Sequence, residues 1–282
     1  MAVAAFSGAP SAFGEEVRRT SRLPQSWLDA VVSIERAERG GKASPRATAF
    51  LVRSPREHVL LVTARHVILG PDGKPYPDLA YRLDNRASGT SLVYENDLRA
   101  AGYGGWFLSR RSDVACRFLA WPTDVRITTI PRSRFLSRLA VNAGAPIVTL
   151  GFPLGLRSLD EVRPMARAGM VARSDERAIV ADTLVQRGNS GGPVVYMPPP
   201  GAASGGLVDE IHVIGLVSAY RTSRQPVDDA LVGDPSVQQN VGLTYIAPAD
   251  EILALFERED VRRLDRRLSG GGLPAPDAKP NP

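Results

Sequence analysis

The sequence predicts an all-β protein of two halves, followed by a single helix near the C-terminus. Short apolar runs separated by Gly, Pro, Asp and Ser begin near Trp27 and recur to about residue 246, which is typical of the strands of a barrel or sandwich. These runs form two groups that meet within residues 125–140. After Pro248 the apolar residues change to helical spacing, which indicates an amphipathic helix.

The elements follow in chain order. Residues 1–26 mix small and charged residues without a sustained period, and we expect an N-terminal extension there. The predicted strands cover residues 30–34, 49–52, 59–62, 114–119, 147–152, 169–172, 178–184, 193–196, 212–218 and 241–246. Two segments rich in turn-forming residues, 70–105 and 197–209, are expected to be surface loops.

The expected C-terminal helix spans about residues 248–267. Pro248 lies in its first turn with acidic residues beside it, as is common at helix N-termini. Four arginines in the segment alternate with acidic residues, which favours a solvated helix face over a nucleic-acid contact. These arginines are Arg262, Arg263, Arg266 and Arg267. Residues 269–282 are rich in Gly and Pro, and we expect a disordered tail.

Composition narrows the class of protein. The chain has 282 residues, of which 43% are hydrophobic and 23% charged, as in an ordinary soluble globular protein. It has no apolar run of about 18 residues and no basic residue ahead of its first apolar stretch, so we expect neither a membrane span nor a signal peptide. The single cysteine, Cys116, excludes an intrachain disulfide and fits a reducing compartment. The expected location is the cytoplasm.

A glycine-flanked serine is the first candidate for chemistry. Ser190 lies in Gly188-Asn189-Ser190-Gly191-Gly192, where glycine allows the backbone to turn sharply. Such a turn brings the amide groups of Gly188 and Ser190 toward one point, which is how an oxyanion is bound during acyl transfer. Taken alone, a structural turn explains this pentapeptide equally well.

A nucleophilic serine also needs a base and an acid that orients the base. The chain has three histidines, and His66 lies where a predicted strand gives way to a turn. His58 begins that strand, and His212 lies within a later apolar run. Asp113 immediately precedes another predicted strand. The order His66, Asp113, Ser190 matches one known arrangement of a catalytic triad.

Several motifs together resemble the trypsin-like peptidase superfamily, and within it most closely the bacterial HtrA/Deg type. The resemblance covers roughly residues 27–257, and the run around Ser190 is its most specific part. The motifs are Thr63-Ala64-Arg65-His66-Val67, Asp113-Val114-Ala115, Leu150-Gly151-Phe152-Pro153-Leu154-Gly155, Arg187-Gly188-Asn189-Ser190-Gly191-Gly192-Pro193-Val194, Val213-Ile214-Gly215-Leu216-Val217-Ser218 and Asn240-Val241-Gly242-Leu243.

The resemblance implies a peptidase domain over residues 27–268 with two six-stranded antiparallel β-barrels. Barrel 1 would span about 27–130 and barrel 2 about 140–246, with the triad in the cleft between them. His66 and Asp113 would come from barrel 1. Ser190 and an oxyanion hole of Gly188, Asn189 and Ser190 would come from barrel 2.

The sequence departs from the family pattern at three places. Arg65 replaces a small or amide residue before the histidine, and Ala47-Thr48-Ala49-Phe50 replaces a Gly-Ser-Gly-Phe-like run. Uncharged Asn189 replaces the aspartate that a newly cut N-terminus neutralises in digestive relatives, so we expect activity without N-terminal cleavage. The segment after Phe256 is too short for a PDZ domain, so we do not expect activation through one.

The resemblance also assigns residues to substrate binding. Leu184 and Val185 would form the base of the S1 pocket, and Val217, Ser218 and Ala219 its wall, with Arg187 beside them. An apolar base predicts small or medium apolar P1 residues. The expected partners are a protein or peptide substrate and a regulatory protein. No metal or organic cofactor is expected, because the histidines are few and no Cys/His cluster exists.

Two other functions remain open at this point. Residues 188–192 also satisfy the G-x-S-x-G elbow of α/β-hydrolases, which would make the protein an esterase. That elbow requires a following helix and a later catalytic histidine, whereas Pro193 and Val194 follow the serine and His212 is the only later histidine. The second alternative is a catalytically silent trypsin-like module that binds a partner.

Overall fold

The computed structural model describes residues 23–38, 42–156, 161–176, 178–202, 206–226 and 236–269. Nearly all of the expected N-terminal extension and of the expected tail lies outside these residues. The described chain is built from two antiparallel β structures, one from each half, with five short helices.

The first half forms a seven-stranded antiparallel sheet. Its strand order is β5-β4-β1-β2-β3-β7-β6. Both faces of this sheet are covered at its centre, so the central strands are continuous apolar runs. In β3, for example, all five residues are buried. The strands are β1 Val31–Ala37, β2 Ala43–Arg53, β3 Val59–Thr63, β4 Leu79–Asp84, β5 Thr90–Tyr94, β6 Phe107–Leu108 and β7 Ala115–Leu119.

The second half forms a closed barrel of six strands in the order β10-β13-β12-β11-β8-β9. Its interior holds a separate apolar core that includes Val171, Ile179, Val194 and Ile246. The strands are β8 Pro146–Gly151, β9 Met165–Ser174, β10 Ile179–Asp182, β11 Pro193–Tyr196, β12 His212–Pro226 and β13 Ser236–Pro248. The all-β fold of two halves is confirmed, although the first half is a seven-stranded sheet where a six-stranded barrel was expected.

The expected loop 70–105 is wrong, because this segment contains β4, β5 and a short helix, α3 (Glu95–Ala100). Its charged residues hide the strand pattern. Arg82 on β4 is buried, yet its guanidinium binds both carboxylate oxygens of buried Glu35 at 2.7 and 2.8 Å. A paired charge is tolerated inside a sheet, whereas an isolated one is not.

A second buried ion pair lies beside α3. The side chains of Glu95 and Arg117 are both fully buried and bind each other directly. The hydroxyl of Tyr81 donates to Glu95 Oε2 at 2.5 Å, and Arg99 Nε donates to Glu95 Oε1 at 2.8 Å. Burial raises the pKa of Tyr81 well above its ordinary value. Strands β4 and β5 and helix α3 therefore join the core through their charges as well as their apolar residues.

The expected C-terminal helix is two helices, α4 (Ala249–Phe256) and α5 (Glu259–Ser269), so the prediction of one continuous helix is wrong. The first helix ends at Phe256, and the next residue, Glu257, caps it by donating its amide N–H to Leu253 O. The break lets both helices bury apolar residues, among them Ile252, Phe256 and Leu264. Ser269, the first residue of the expected tail, is the last residue of α5.

Buried Asp265 anchors α5 to the first sheet. Asp265 Oδ1 accepts hydrogen bonds from Ser54 Oγ at 2.6 Å and from His58 Nδ1 at 2.7 Å. His58 therefore has a structural role. The outer face of α5 is exposed and carries the Arg266–Glu259 ion pair at 2.6 Å, as the alternating charges predict.

Candidate active site

Two strand ends bring His66 and Asp113 together. Thr63 at the end of β3 pairs with Ala115 at the start of β7, so the residues beyond these ends are neighbours. His66 lies in a single helical turn, α2 (Arg65–Ile68), directly after β3. Its Nδ1 lies 2.7 Å from Asp113 Oδ2, and its backbone N–H donates to Asp113 Oδ1 at 2.9 Å. Both carboxylate oxygens of Asp113 thus hold the same residue.

Ser218 also binds this acid. A bulge in the pairing of β12 with β13 falls at Ser218, and bulges re-aim side chains. Its hydroxyl donates to Asp113 Oδ2 at 2.7 Å. Burial raises the pKa of Asp113, but the hydrogen bonds from His66 and Ser218 outweigh this, so the pKa is below its ordinary value. An ionised Asp113 accepts a hydrogen bond from the Nδ1–H of His66, which keeps the ring proton on Nδ1 and leaves Nε2 as the acceptor.

The loop that carries Ser190 requires its glycines. Gly188 has φ +99°, and a Cβ there would lie 2.1 Å from Phe152 O. Gly191 has φ +84°, and a Cβ there would lie 2.0 Å from Thr63 Oγ1. A larger residue at either position would displace backbone. The turn that the sequence predicts around Ser190 is therefore present.

The peptide between Arg187 and Gly188 is held in one orientation. Its carbonyl oxygen accepts a hydrogen bond of 2.6 Å from the N–H of Leu154, so the N–H of Gly188 points to the opposite side. Within the described ranges, neither this N–H nor that of Ser190 donates to another protein group. Both N–H groups are therefore free to donate to a ligand.

Asn189 does not share this role, contrary to the expectation. Its N–H donates to Gln186 O at 3.0 Å, and its Oδ1 accepts from Gln186 N at 3.2 Å. The side chain is fully buried, which excludes it from contact with a substrate. Asn189 instead closes the turn that presents Gly188 and Ser190.

Thr48 is a supporting residue that the sequence reasoning missed. Its Oγ1 donates to Gly188 O at 2.7 Å and accepts from Phe152 N at 3.1 Å. Its backbone N–H donates to Ser190 O at 3.0 Å. Strand β2 of the first half therefore holds the serine loop of the second. The departure from the family pattern at residues 47–50 was the only signal of this position.

Ser190 and His66 line one cleft, together with Tyr220. On one side of Ser190 the cleft continues as the strand-side groove, of about 410 Å³, defined by Asp113, Ser218 and Ala219. The cleft also continues as the arginine groove, of about 610 Å³, which shares only Ser190, His66 and Tyr220 with the lining of the strand-side groove. The arginine groove is defined by Arg36, Arg46, Leu154 and Arg187.

No hydrogen bond joins Ser190 Oγ to the imidazole of His66 within the described residues. In a substrate-free site such bonds are often long and tighten when substrate binds. Arg65 also lines the strand-side groove, and its guanidinium donates to Ser109 O at 2.9 Å. A positive charge therefore borders the same groove as His66.

Comparison with known families agrees with this geometry. The sequence model of the trypsin-like peptidase domain matches residues 47–196, which is more than half of the chain. The chain belongs to the trypsin-like peptidase family. None of the curated protein sequences matches it significantly.

A solved structure of an HtrA-type protease, AlgW, with a tripeptide is similar to this peptidase at 16% sequence identity, with a TM-score of 0.46. The match covers 82% of this chain and 60% of that one. The chain thus spans less than two thirds of the length of that protein.

Two of the predicted substrate-binding residues are not accessible in the peptidase. Val185 is fully buried in the core of the second barrel, so it does not line a pocket. Val217 is buried there too, and its backbone groups bind Gly191 and Gly192 at 2.7 and 2.9 Å. Neighbouring side chains of an extended chain point to opposite sides, so Leu184 and Val185 cannot both face the substrate.

The other predicted contacts are exposed to the cleft or near it. Ser218 and Ala219 line the strand-side groove, and Leu184 is 46% exposed. Arg187 is exposed, but it lines the arginine groove and not the strand-side groove. Tyr220, which the sequence reasoning missed, borders both grooves.

The described residues contain no group of three or more His, Cys, Asp or Glu that could hold a metal ion. Across the same ranges, every helix is too short or too polar to span a bilayer.

Proposed function

We propose that this chain is a serine endopeptidase that forms an acyl-enzyme on Ser190. One observation carries the proposal: His66, held by Asp113, lines the same cleft as Ser190, beside two amide N–H groups that bind no other protein group in the described chain. A nucleophile, an oriented base and oxyanion donors are the parts that acyl transfer by serine requires.

The reaction follows from these positions. His66 Nε2 accepts the proton of Ser190 Oγ as the oxygen bonds to the substrate carbonyl carbon, and the carbonyl oxygen becomes an oxyanion. The amides of Gly188 and Ser190 bind that oxyanion, each contributing roughly 2.7 to 4 kcal/mol. His66 then gives the proton to the departing amine, and the peptide C–N bond breaks. Water attacks the acyl-enzyme by the same route and regenerates Ser190.

The substrate would lie extended along the edge of β12. Ser218 and Ala219 lie there beside Ser190, and an added strand gains affinity from backbone hydrogen bonds. Within the described part of the chain, Asp113 is the only acidic residue that lines the strand-side groove, and it already binds His66 and Ser218. A basic P1 side chain would therefore find no free carboxylate in this groove. We propose small or medium apolar P1 residues, and a peptide-library profile dominated by Arg or Lys at P1 would refute this.

Active-site labelling tests the proposed function. A fluorophosphonate should label wild-type protein and fail to label Ser190→Ala. The matched control Ser133→Ala removes a hydroxyl from an exposed surface position and should keep full labelling. The wild type should also cleave an unfolded protein such as casein. A folded wild type that is neither labelled nor active would instead support the silent binding module.

The esterase alternative does not fit the fold. Ser190 is followed by strand β11 of an antiparallel barrel, whereas the α/β-hydrolase elbow leads into a helix on a mainly parallel sheet.

We further propose that the enzyme works in the cytoplasm under the control of a protein partner. Cys116 is buried, and burial raises its thiol pKa, so the thiol is unreactive. Cell fractionation tests the location, and cross-linking of Ser190→Ala in host cells tests for the partner.

A further inference from the structure

The arginine groove differs from the rest of the cleft in its charge. It has a volume of about 610 Å³ and adjoins Ser190 and His66. Among the described residues, three arginines line it, Arg36, Arg46 and Arg187, and no acidic residue does. A concave surface with one sign of charge concentrates ligands of the opposite sign.

Two of the three arginines have no carboxylate partner among the residues that the structure describes. Arg36 is neutralised by Asp78, which it binds through Nε at 3.0 Å and Nη2 at 2.5 Å. Arg46 instead donates to Val67 O at 2.9 Å and lies over the ring of Tyr76, with 4.6 Å from its Cζ to the ring centroid. Arg187 is exposed and forms no ion pair with any described residue. The groove therefore holds two uncompensated positive charges.

Arg46 is also preorganised for binding. The hydrogen bond to Val67 O and the contact with Tyr76 fix its guanidinium before any ligand arrives. A fixed guanidinium loses less conformational entropy per hydrogen bond than a free one. Arg187, in contrast, directly precedes the oxyanion donor Gly188, which places its backbone next to the reacting carbonyl.

The direction in which a substrate lies in the cleft determines which of its residues approach Arg46 and Arg187. If the acyl half of an extended peptide lies along β12 in the strand-side groove, its other half must leave Ser190 by a different path, and the arginine groove is a second groove that adjoins Ser190. The leaving amine must also reach His66, which borders this groove. The first two residues of the leaving half span about 7 Å in an extended chain, so their side chains would enter the groove that Arg46 and Arg187 line.

We propose that the arginine groove binds acidic side chains, so that the peptidase prefers substrates with Asp or Glu at the first or second position after the scissile bond. This inference rests on the proposed function, because it takes the direction of the substrate from it. It names a substrate class that the S1 pocket alone does not define.

Matched peptides test the preference. Two internally quenched peptides would share Val-Ala before the bond and carry either Glu-Glu or Gln-Gln after it, with the cleavage point checked by mass spectrometry. We expect kcat/KM to be at least about fivefold higher for the Glu peptide, equivalent to about 1 kcal/mol. Raising the salt from about 0.05 M to about 0.5 M should reduce this ratio, because the arginines are partly exposed.

Variants assign the preference to the groove. The double substitution Arg46→Gln with Arg187→Gln should bring the Glu-to-Gln ratio close to one. The control Arg263→Gln removes a charge from the exposed face of α5, outside the groove, and should leave the ratio unchanged. If Arg263→Gln lowered the Glu-to-Gln ratio as much as the double substitution does, overall charge would cause the preference, and this result would overturn the inference.

A binding measurement separates this inference from the proposed function. Ser190→Ala should bind a fluorescent Glu-Glu peptide at least about fivefold more tightly than the Gln-Gln peptide in an anisotropy titration. Equal dissociation constants would overturn the inference even if fluorophosphonate labels the wild type. Failure of labelling would refute the proposed catalysis, whereas a retained binding ratio would still support an acid-binding groove.

Discussion

Replacing Asp113 by asparagine tests the geometry of the active site most directly. In the native protein Asp113 Oδ2 accepts two hydrogen bonds, from His66 Nδ1 and Ser218 Oγ, each of 2.7 Å. The asparagine oxygen can still accept from the backbone N–H of His66, as Oδ1 does now at 2.9 Å. An NH₂ group then replaces Oδ2 and donates where an acceptor is needed.

The consequence is a change of tautomer. His66 Nδ1 must become an acceptor for the new NH₂ group, which moves the ring proton to Nε2, the nitrogen that has to accept the Ser190 proton. We expect kcat to fall by about 10⁴-fold, equivalent to about 5 kcal/mol of lost transition-state stabilisation. Ser218→Ala removes one of the two hydrogen bonds to Oδ2 and should cost only about 10- to 100-fold.

The assay combines peptide turnover with the rate of fluorophosphonate labelling. Thermal unfolding of each variant checks that the fold is retained, and Asp209→Asn, an exposed position far from the cleft, serves as the matched control. Turnover of Asp113→Asn within about tenfold of wild type, with Ser190→Ala inactive, would remove Asp113 from the mechanism.

Three further predictions concern stability and activation. Glu95→Ala leaves the buried charge of Arg117 unpaired and should lower the free energy of unfolding in urea by about 3–5 kcal/mol. Arg99→Ala, at a side chain that is 46% exposed, should cost less than about 1 kcal/mol, and equal losses would contradict this account. Folding lowers the pKa of Asp113 below its ordinary value of 3.8. The ionised carboxylate therefore stabilises the fold at pH values above 3.8, and this stabilisation is lost as the pH falls through the folded-state pKa. The difference in free energy of unfolding between wild type and Asp113→Asn should therefore shrink below about pH 4 in urea titrations. A difference that stays constant with pH would contradict a stabilising role of the ionised carboxylate. Since Asn189 cannot form an ion pair with a new amino terminus, protein shown intact by mass spectrometry should be active, and activity only after trimming would refute this.

Much of the fold follows from local patterns. The apolar run 59–62 is a fully buried strand, and a short apolar run bounded by turn residues already specifies that outcome. The glycines around Ser190 likewise indicate a backbone conformation that other residues rarely adopt, since Gly188 and Gly191 both have positive φ. The pairing of His66 with Asp113 was also predictable, because each residue adjoins the end of a strand.

The missed elements depend on partners distant in the chain. Segment 70–105 resembles a loop because Arg82 and Glu95 break its apolar pattern, and only the folded sheet supplies Glu35 and Arg117 as their counter-charges. A sequence window cannot show such compensation, since the partner of Arg82 lies 47 residues away.

In the active site, too, some features follow from the sequence alone and others depend on the tertiary structure. The residue types and their order determined, from sequence alone, a candidate nucleophile, a base, an acid and the glycine-dependent oxyanion donors. The tertiary structure decided which residues support them: Thr48, 140 residues from Gly188, holds the serine loop, and Val185 is buried in the core. It also brought Arg46 and Arg187 to one groove. The physical reason is that a residue's type is local, whereas its burial, its partners and its neighbours across a cleft are set by the packing of the whole chain.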